Sequence, residues 1–215
     1  MTIESRTTGR IPAAVVRRLP KYLTHAQHLR HGGIEWVSSA TLADALGLTS
    51  STVRQDLSYV EFQGISKRGY STEGLDAAVS LTLGLDHHIR CVVVGAGNLG
   101  RALALHNEFV LHGFRIVGVF DNASGIIDKK VGRHRIQPMS ELRSVIRRQK
   151  VEIGIIAVPF EAAQPAANAL IEAGANGLLN MTAAHLLVPE RISVVDARIL
   201  ASLRELAYAV KSRRT

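Results

Sequence analysis

The chain is short of cysteine, of aromatics and of long apolar runs. Its one cysteine, Cys91, cannot close an internal disulfide, so no disulfide framework holds this fold. Aromatics are only 5% of residues, so a core has to be built mainly from aliphatic side chains. No apolar run approaches the roughly 18 residues a membrane helix needs. The start, Met1-Thr2-Ile3-Glu4-Ser5-Arg6, lacks the apolar stretch of a signal peptide. A cytoplasmic location and no membrane partner are therefore expected. No cluster of cysteine, histidine and carboxylate has metal-ligand spacing; the adjacent His87 and His88 read as a solvated linker, and no metal is expected.

What is present is a chain of 215 residues with 47% apolar content, enough for one large domain or two small ones. The net charge of +8 points to a polyanionic partner. The excess is not where a nucleic-acid module would put it. Residues 1–85 carry 9 basic and 7 acidic groups, whereas residues 86–215 carry 17 and 11.

The most informative stretch is Val92-Val93-Val94-Gly95-Ala96-Gly97-Asn98-Leu99-Gly100. A short apolar run enters a G-x-G-x-x-G, and a helical pattern follows. That order turns a weak motif into a dinucleotide-binding expectation. Gly95 permits the turn, Gly97 lets a pyrophosphate approach the backbone, and Gly100 lets the helix pack near the strand. The first amides of that helix, with its dipole, face the phosphates. About 20 residues on, an acid is expected on the ribose hydroxyls; Asp121 meets this at the end of the run Phe114 to Phe120.

In order, Met1 to Ile11 reads as a polar arm. Val15, Val16, Leu19, Tyr22, Leu23, Ala26 and Leu29 then recur at helical spacing, with Pro20 expected to kink or split the run. Ser39 is expected to cap a short helix over Leu42, Ala43 and Leu46. Gly47 makes a turn, and Thr49 or Ser50 caps a second helix with Val53 and Leu57 inward. This is helix-turn-helix logic. It exposes Ser50, Ser51, Thr52, Arg54 and Gln55, groups suited to phosphates and base edges. Ile65 to Tyr70, with Lys67 and Arg68 at the tip of an expected hairpin, reads as a wing lying along phosphates. A helix over Thr72 to Gly84 leads to a domain boundary at Leu85 to Arg90.

The remainder alternates strand and helix. Strands are expected at 91–95, 114–120, 153–158 and 177–180, with a weaker pair at 186–188 and 192–195. Helices are expected at 98–107, 139–149 and 161–174. This is a Rossmann-like, doubly wound parallel sheet with its ligand over the carboxyl ends of the strands. Val158 and Pro159 end the third strand and Asn180 the fourth, both on the ligand side. A last amphipathic helix, capped by Asp196, carries Ile199, Leu200, Leu203, Leu206, Ala207 and Val210 on one stripe. It packs either on its own sheet or on a partner subunit.

Val53-Arg54-Gln55-Asp56-Leu57-Ser58-Tyr59 followed by Gly95-Ala96-Gly97-Asn98-Leu99-Gly100-Arg101-Ala102-Leu103 is similar to the Rex family of redox-sensing transcriptional repressors. Val37-Ser38-Ser39, Phe120-Asp121, Val158-Pro159, Glu161 to Gln164, Glu172-Ala173-Gly174, Gly177 to Asn180 and Val188-Pro189 keep the register from about Pro12 onward. The resemblance implies an α/β chain: a winged helix over 1–85, a Rossmann-like domain over 86–195, and a C-terminal helix over 196–215 that swaps in a homodimer. It implies NADH or NAD⁺ on Gly95 to Gly100, Asp121, Val158, Pro159 and Asn180. It also implies double-stranded operator DNA of inverted-repeat symmetry on Ser51, Thr52, Arg54, Gln55, Ser58, Lys67 and Arg68, released when NADH closes the dimer.

The chain departs from the family in the wing (Phe62 to Tyr70), after the fourth strand (Asn180-Met181-Thr182-Ala183) and at three switch positions. Where the family couples nicotinamide state to dimer geometry with an arginine, a tyrosine and an aspartate, this chain has Thr24, His106 and Arg198, with Asp196 two residues earlier as a substitute partner for His106. Two other readings stay open. One is an NAD(P)-dependent oxidoreductase, for which His106 and His185 lack a recognisable catalytic partner. The other is a DNA-binding dimer that answers to another nucleotide.

Overall fold

The computed structural model describes residues 11–197 and 199–213; residues 1–10 of the polar arm and the switch candidate Arg198 lie outside the described residues. The chain divides into two compact units, Met1–Asp86 and His87–Thr215.

In the first unit, α1 (Ala13–Val16) and α2 (Leu19–His31) are the two halves of the expected first helix. Pro20 lies in the first turn of α2, where its missing N–H would have had no helical partner. Then come β1 (Trp36–Val37), α3 (Ser39–Leu46), α4 (Ser50–Leu57), β2 (Tyr70–Ser71) and α5 (Thr72–Thr82). The short strands β1 and β2 pair antiparallel. Leu19, Tyr22, Leu42, Val53, Leu57, Leu75 and Val79 are fully buried and tie the helices into one core. Ser38, not Ser39, caps α3 by accepting the Thr41 N–H at 3.0 Å. The reason is backbone geometry: a cap must be extended, and Ser38 is (φ −81, ψ 159) while Ser39 is already helical. Thr49, not Ser50, caps α4, accepting the Thr52 N–H at 3.1 Å.

Two acids are buried in this unit, Asp56 and Asp76, and Asp56 is the deeper. Asp56 lies between Val53 and Leu57 on the inner face of α4 and is 2% exposed. Arg18 donates to it from Nε (2.6 Å) and Nη2 (2.7 Å), and the Tyr22 hydroxyl donates at 2.8 Å. Burial by itself would raise the Asp56 pKa. The hydrogen bonds from Arg18 and Tyr22, with the Arg18 charge, outweigh it and hold the carboxyl below its ordinary range.

The second unit is built on β3 (Ile89–Val94), α6 (Asn98–Leu105), α7 (Glu108–Leu111), β4 (Phe114–Asp121), β5 (Lys130–Val131), β6 (His134–Pro138), α8 (Leu142–Gln149), β7 (Ile153–Ile156), α9 (Ala163–Ala173), β8 (Gly177–Asn180), β9 (Ser193–Asp196) and α10 (Ile199–Ser212). Among the described residues the strands form one seven-stranded sheet in the order β5-β6-β4-β3-β7-β8-β9. All neighbours are parallel except β5 with β6. The period of two is visible along β3. Val92 and Val94 face a core with α8 and α9, while Cys91 and Val93 face the opposite core with Val119 and Ile155. Chain order reverses at β3, which has β4 on one side and β7 on the other. A crevice therefore opens over its carboxyl end.

Several expectations are corrected. The segment 186–188 is not a strand. Its backbone bonds to a side chain instead of a ladder: Gln164 Oε1 accepts the Leu187 N–H (2.8 Å) and Gln164 Nε2 donates to the Leu187 carbonyl (3.0 Å). The β5–β6 hairpin is an addition, invisible to periodicity because β5 has two residues and the segment is mostly charged. Asp196, expected as the cap of the last helix, also has a place in the sheet. It closes β9 opposite Asn180, whose Nδ2 donates to it at 2.8 Å. The expected helix 98–107 ends at Leu105 and restarts as α7, and the helices expected at 139 and 161 begin with short 3₁₀ turns. Cys91 is buried, and burial followed by the nearby Glu152 charge pushes its thiol up to about 12, so it behaves as a small apolar residue. α10 buries none of its residues; Ile199, Leu200, Leu203 and Leu206 are all more than half exposed.

Removing Asp56 leaves Arg18 and Tyr22 facing an uncompensated site. Asp56→Ala is expected to destabilise the first unit by about 3 kcal/mol at neutral pH. Urea unfolding followed through Trp36, the only tryptophan, measures this. Because the folded-state pKa of Asp56 is depressed, its contribution is present above the unfolded value of about 3.9 and is lost as pH falls through the folded value. The gap between variant and parent should close in acid. A constant gap would remove the carboxylate as the cause.

Candidate functional site

Each unit carries one candidate site. In the first, Ser51, Arg54, Gln55 and Ser58 recur at helical spacing on the exposed face of α4, opposite Val53, Asp56 and Leu57. Thr52 is half-buried beside them. Their hydroxyls are partly used locally: the Thr49 hydroxyl shares hydrogen bonds of 2.8 Å with both Ser51 and Thr52, and Ser58 donates to the Gln55 carbonyl at 2.7 Å. Arg54 is held in place by Nη1, which donates to Ser39 Oγ at 3.2 Å. So Ser39, expected as a cap, instead steadies an arginine of the adjacent helix.

The wing is a tight loop closed by the Ile65–Gly69 bridge. Lys67 sits at its tip, exposed, with a left-handed backbone (φ +64). Arg68 lies over the ring of Trp36, 3.9 Å from its centre. That stacking restricts a flexible cation while leaving it exposed. Lys67, Arg68 and the α4 row are thus exposed donors on a rigid frame, suited to phosphates and base edges. The sequence reading missed Trp36 and the Arg18–Asp56–Tyr22 group that fixes α4. Asp56 was legible in principle, since an acid at the same helical face as Val53 and Leu57 has to be paired.

In the second unit, the turn from β3 into α6 is set by contact. Gly95 has a left-handed backbone (φ +101), and a Cβ there would strike the Ala157 carbonyl. A Cβ on Gly100 would overlap the Gly95 carbonyl oxygen, so α6 can start this close to β3 only with hydrogen at that position. Gly97 is different: nothing lies within 4 Å of where its Cβ would be. Its bare side opens onto a cavity of ≈ 420 Å³, lined also by Gly95, Asp121, Asn122, Ile126, Met139, Val158 and Pro159 among others. Gly97 is the N-cap of α6 and supplies no side-chain cap, which leaves amides at the helix start for an anion. Asn98 and Leu99, the first residues of α6, are exposed beside this opening.

Asp121 reaches across the crevice. Its Oδ2 accepts the Ala96 N–H at 2.7 Å and its Oδ1 accepts the Ala123 N–H at 2.9 Å. A carboxylate has about four acceptor positions, so two remain for hydroxyl donors. Arg101 Nε donates to the Ala96 carbonyl at 2.7 Å, pinning the loop from the other side. Gly95, Gly97, Asp121, Val158 and Pro159 are brought together; Ile126 and Met139 join them from segments without a motif.

Asn180 is not among them. It is fully buried, donating to the Ala184 carbonyl (2.8 Å) and to Asp196, and accepting from the Thr182 amide (3.0 Å) and hydroxyl (2.7 Å). It locks the turn after β8 and has no group left for a ligand. The switch candidates among the described residues make local contacts. The Thr24 hydroxyl donates to the Pro20 carbonyl at 3.0 Å. His106 packs edge-on against Phe109 with its Nε2 3.6 Å from Glu108, while Asp196 is held by Asn180. Within the chain, the carboxylate beside His106 is therefore that of Glu108. Among the described residues no group of three or more histidine, cysteine or acidic side chains could hold a metal.

The two units define a winged helix joined to a Rossmann-type nucleotide-binding domain. Residues 10–58 match the family described as putative DNA-binding protein N-terminus, and residues 86–184 the family described as CoA binding domain. A redox-sensing transcriptional repressor Rex of Carboxydothermus hydrogenoformans is 40% identical over 94% of this chain and 97% of its own. One from Caldicellulosiruptor saccharolyticus is 37% identical over 94% and 93%. The crystal structure of RSP in complex with β-NAD⁺ and operator DNA is 30% identical, covers 96% of this chain and 95% of its own, and superposes with a TM-score of 0.90. RSP with β-NADH gives 0.86 at the same identity, over 96% and 97%. The chain belongs to the Rex family of redox-sensing transcriptional repressors. These relatives are repressors rather than enzymes, which sets the oxidoreductase reading aside.

The glycine geometry makes a paired prediction about folding. Gly100→Ala should lower the melting temperature of the second unit markedly, because backbone must move. Gly97→Ala should melt like the parent. Circular dichroism of the two variants measures both, and equal losses would mean that the turn is not set by contact at Gly100.

Proposed function

We propose that this chain is a DNA-binding transcriptional repressor whose operator binding is governed by the NADH/NAD⁺ state. The observation that carries the reading is the open side of Gly97 and the two spare acceptor positions of Asp121, on one cavity at the start of α6. Gly95 to Gly100 would cradle the pyrophosphate, Asp121 would take ribose hydroxyls, and Val158 and Pro159 would wall the far side. When bound, the dinucleotide supplies only its redox-dependent shape and charge; the chain's own groups bind and orient it.

Ser51, Thr52, Arg54, Gln55 and Ser58 would enter the major groove, with Lys67 and Arg68 on phosphates. The working divisions are a winged helix over 1–85, a dinucleotide domain over 86–195 and a dimerising helix over 196–215, in the cytoplasm where DNA and nicotinamide pools meet. A homodimer is supported by α10, whose apolar stripe is uncovered, and by an apolar cavity of ≈ 340 Å³ lined by Phe109, Phe114, Ile153, Leu179 and Val195. A swapped α10 would cover such a surface in the partner. Two-fold symmetry then asks for an inverted-repeat operator with half-sites about 34–36 Å apart. A dinucleotide moves the dimer between open and closed forms only by its differential affinity, and about 5.5 kcal/mol is needed to go from 1:99 to 99:1. Thr24, His106, Asp196 and Arg198 are the positions where this member would set that difference in its own way.

Calorimetric titration with NADH and with NAD⁺ tests the reading. NADH is expected to bind more tightly and to release operator DNA in a mobility-shift assay. Gly97→Ala should lose both effects while remaining folded. Equal binding of the two forms would assign the control to another nucleotide. Arg54→Ala should weaken specific sites by about 1–3 kcal/mol, whereas Lys67→Ala should weaken all sequences alike. Unchanged binding in both variants would displace the DNA face from α4 and the wing.

A further inference from the structure

The β5–β6 hairpin is unusual in its charge. Lys129, Lys130, Arg133 and Arg135 lie within seven residues and all are exposed. The strand register sets Lys130 directly opposite Arg135. Like charges at a cross-strand pair destabilise a ladder, and nothing in the hairpin relieves it. Arg135 donates from Nη1 to the Asp128 carbonyl (3.0 Å), and Arg133 donates from Nε to His134 Nε2 (3.2 Å); neither bond is to a carboxylate. The ion pairs the described residues form lie elsewhere. The positive field is felt next door: burial and then the Arg133 charge lower the His134 pKa.

Place matters as much as charge. β5 is one edge of the sheet, and β9, which leads into α10, is the other. A dimer contact made through α10 would leave the β5 edge open. The hairpin also accounts for part of the charge excess that lies outside the winged helix.

We propose that the β5–β6 hairpin is a second, sequence-independent DNA-binding surface, in which Lys129, Lys130, Arg133 and Arg135 contact backbone phosphates. The proposal rests on the reading of the chain as a DNA-binding repressor. A row of phosphates turns the Lys130–Arg135 repulsion into an attraction, and counterion release makes the contribution steeply dependent on salt. Because the contacts carry no base readout, they add to affinity and leave the preference among sequences unchanged.

The test uses the full chain and a random-sequence DNA duplex, with affinity measured across a range of salt. The variant changes all four residues: Lys129→Gln, Lys130→Gln, Arg133→Gln and Arg135→Gln. A control removes the same charge from the exposed side of α8 (Arg143→Gln, Arg147→Gln, Arg148→Gln and Lys150→Gln). The hairpin variant should bind more weakly, with a salt slope shallower by about 0.9 for each phosphate it no longer neutralises. The α8 control should keep the parent slope, NADH affinity should be unchanged in both, and the hairpin variant should melt no lower than the parent, since it loses the Lys130–Arg135 repulsion. Equal slopes in parent and hairpin variant would overturn the proposal, leaving those cations as protection of a sheet edge. Equal weakening in the hairpin and α8 variants would overturn it too, as a general effect of net charge. A parent chain that binds no duplex at all would instead remove the repressor reading itself, and this inference with it.

Discussion

Hydrogen is the largest side chain that fits where α6 leaves β3. Gly100 rests against the Gly95 carbonyl, and Gly95 itself presses on Ala157 of the neighbouring strand. This contact fixes the start of α6 over the sheet, directs its first amides into the crevice, and lets Asp121 reach the Ala96 amide at 2.7 Å. The cavity, its acid and its walls all follow from that placement. Gly97 is spared the constraint, and its open side is the part of the loop free to meet a ligand.

The first unit solves a different problem. A helix that presents a polar face for recognition has to hold it without shifting, and α4 is only eight residues long. Val53 and Leu57 supply apolar burial, and the Arg18–Asp56–Tyr22 group adds direction, because hydrogen bonds to a buried carboxylate tolerate little rotation of the helix. Ser39 and Trp36 extend the same logic to the surface, steadying Arg54 and Arg68. Holding these side chains in advance reduces the entropy lost on binding.

The segments that carry no motif hold the remaining chemistry. The Gln164 clamp turns an apolar run into a loop, Asn180 spends its whole amide on the turn after β8 and on Asp196 of β9, and the β5–β6 hairpin gathers four cations that form no ion pair among the described residues on one edge of the sheet. Each illustrates how a side chain can claim backbone or space that a pattern would assign elsewhere. Asn180 is the clearest instance: it stands at the carboxyl end of a strand, where ligand contacts gather, yet burial converts it into a structural residue.

The alternation of the central strands with their helices, the glycine turn, the acid after the second long strand and the helix-turn-helix were legible in the residues, because each rests on local rules: apolar period, turn chemistry and motif spacing. The wing and the amphipathic last helix were legible for the same reason. The sequence by itself therefore determined the two domain types and the positions of Gly95, Gly97, Gly100 and Asp121. Only the tertiary structure decided which serine caps a helix, that Asp56 is buried and paired, that Asn180 and Asp196 serve each other, and that His106 meets Glu108. Those outcomes depend on which distant groups arrive at the same place with unsatisfied hydrogen bonds, and spacing along one chain carries no record of that.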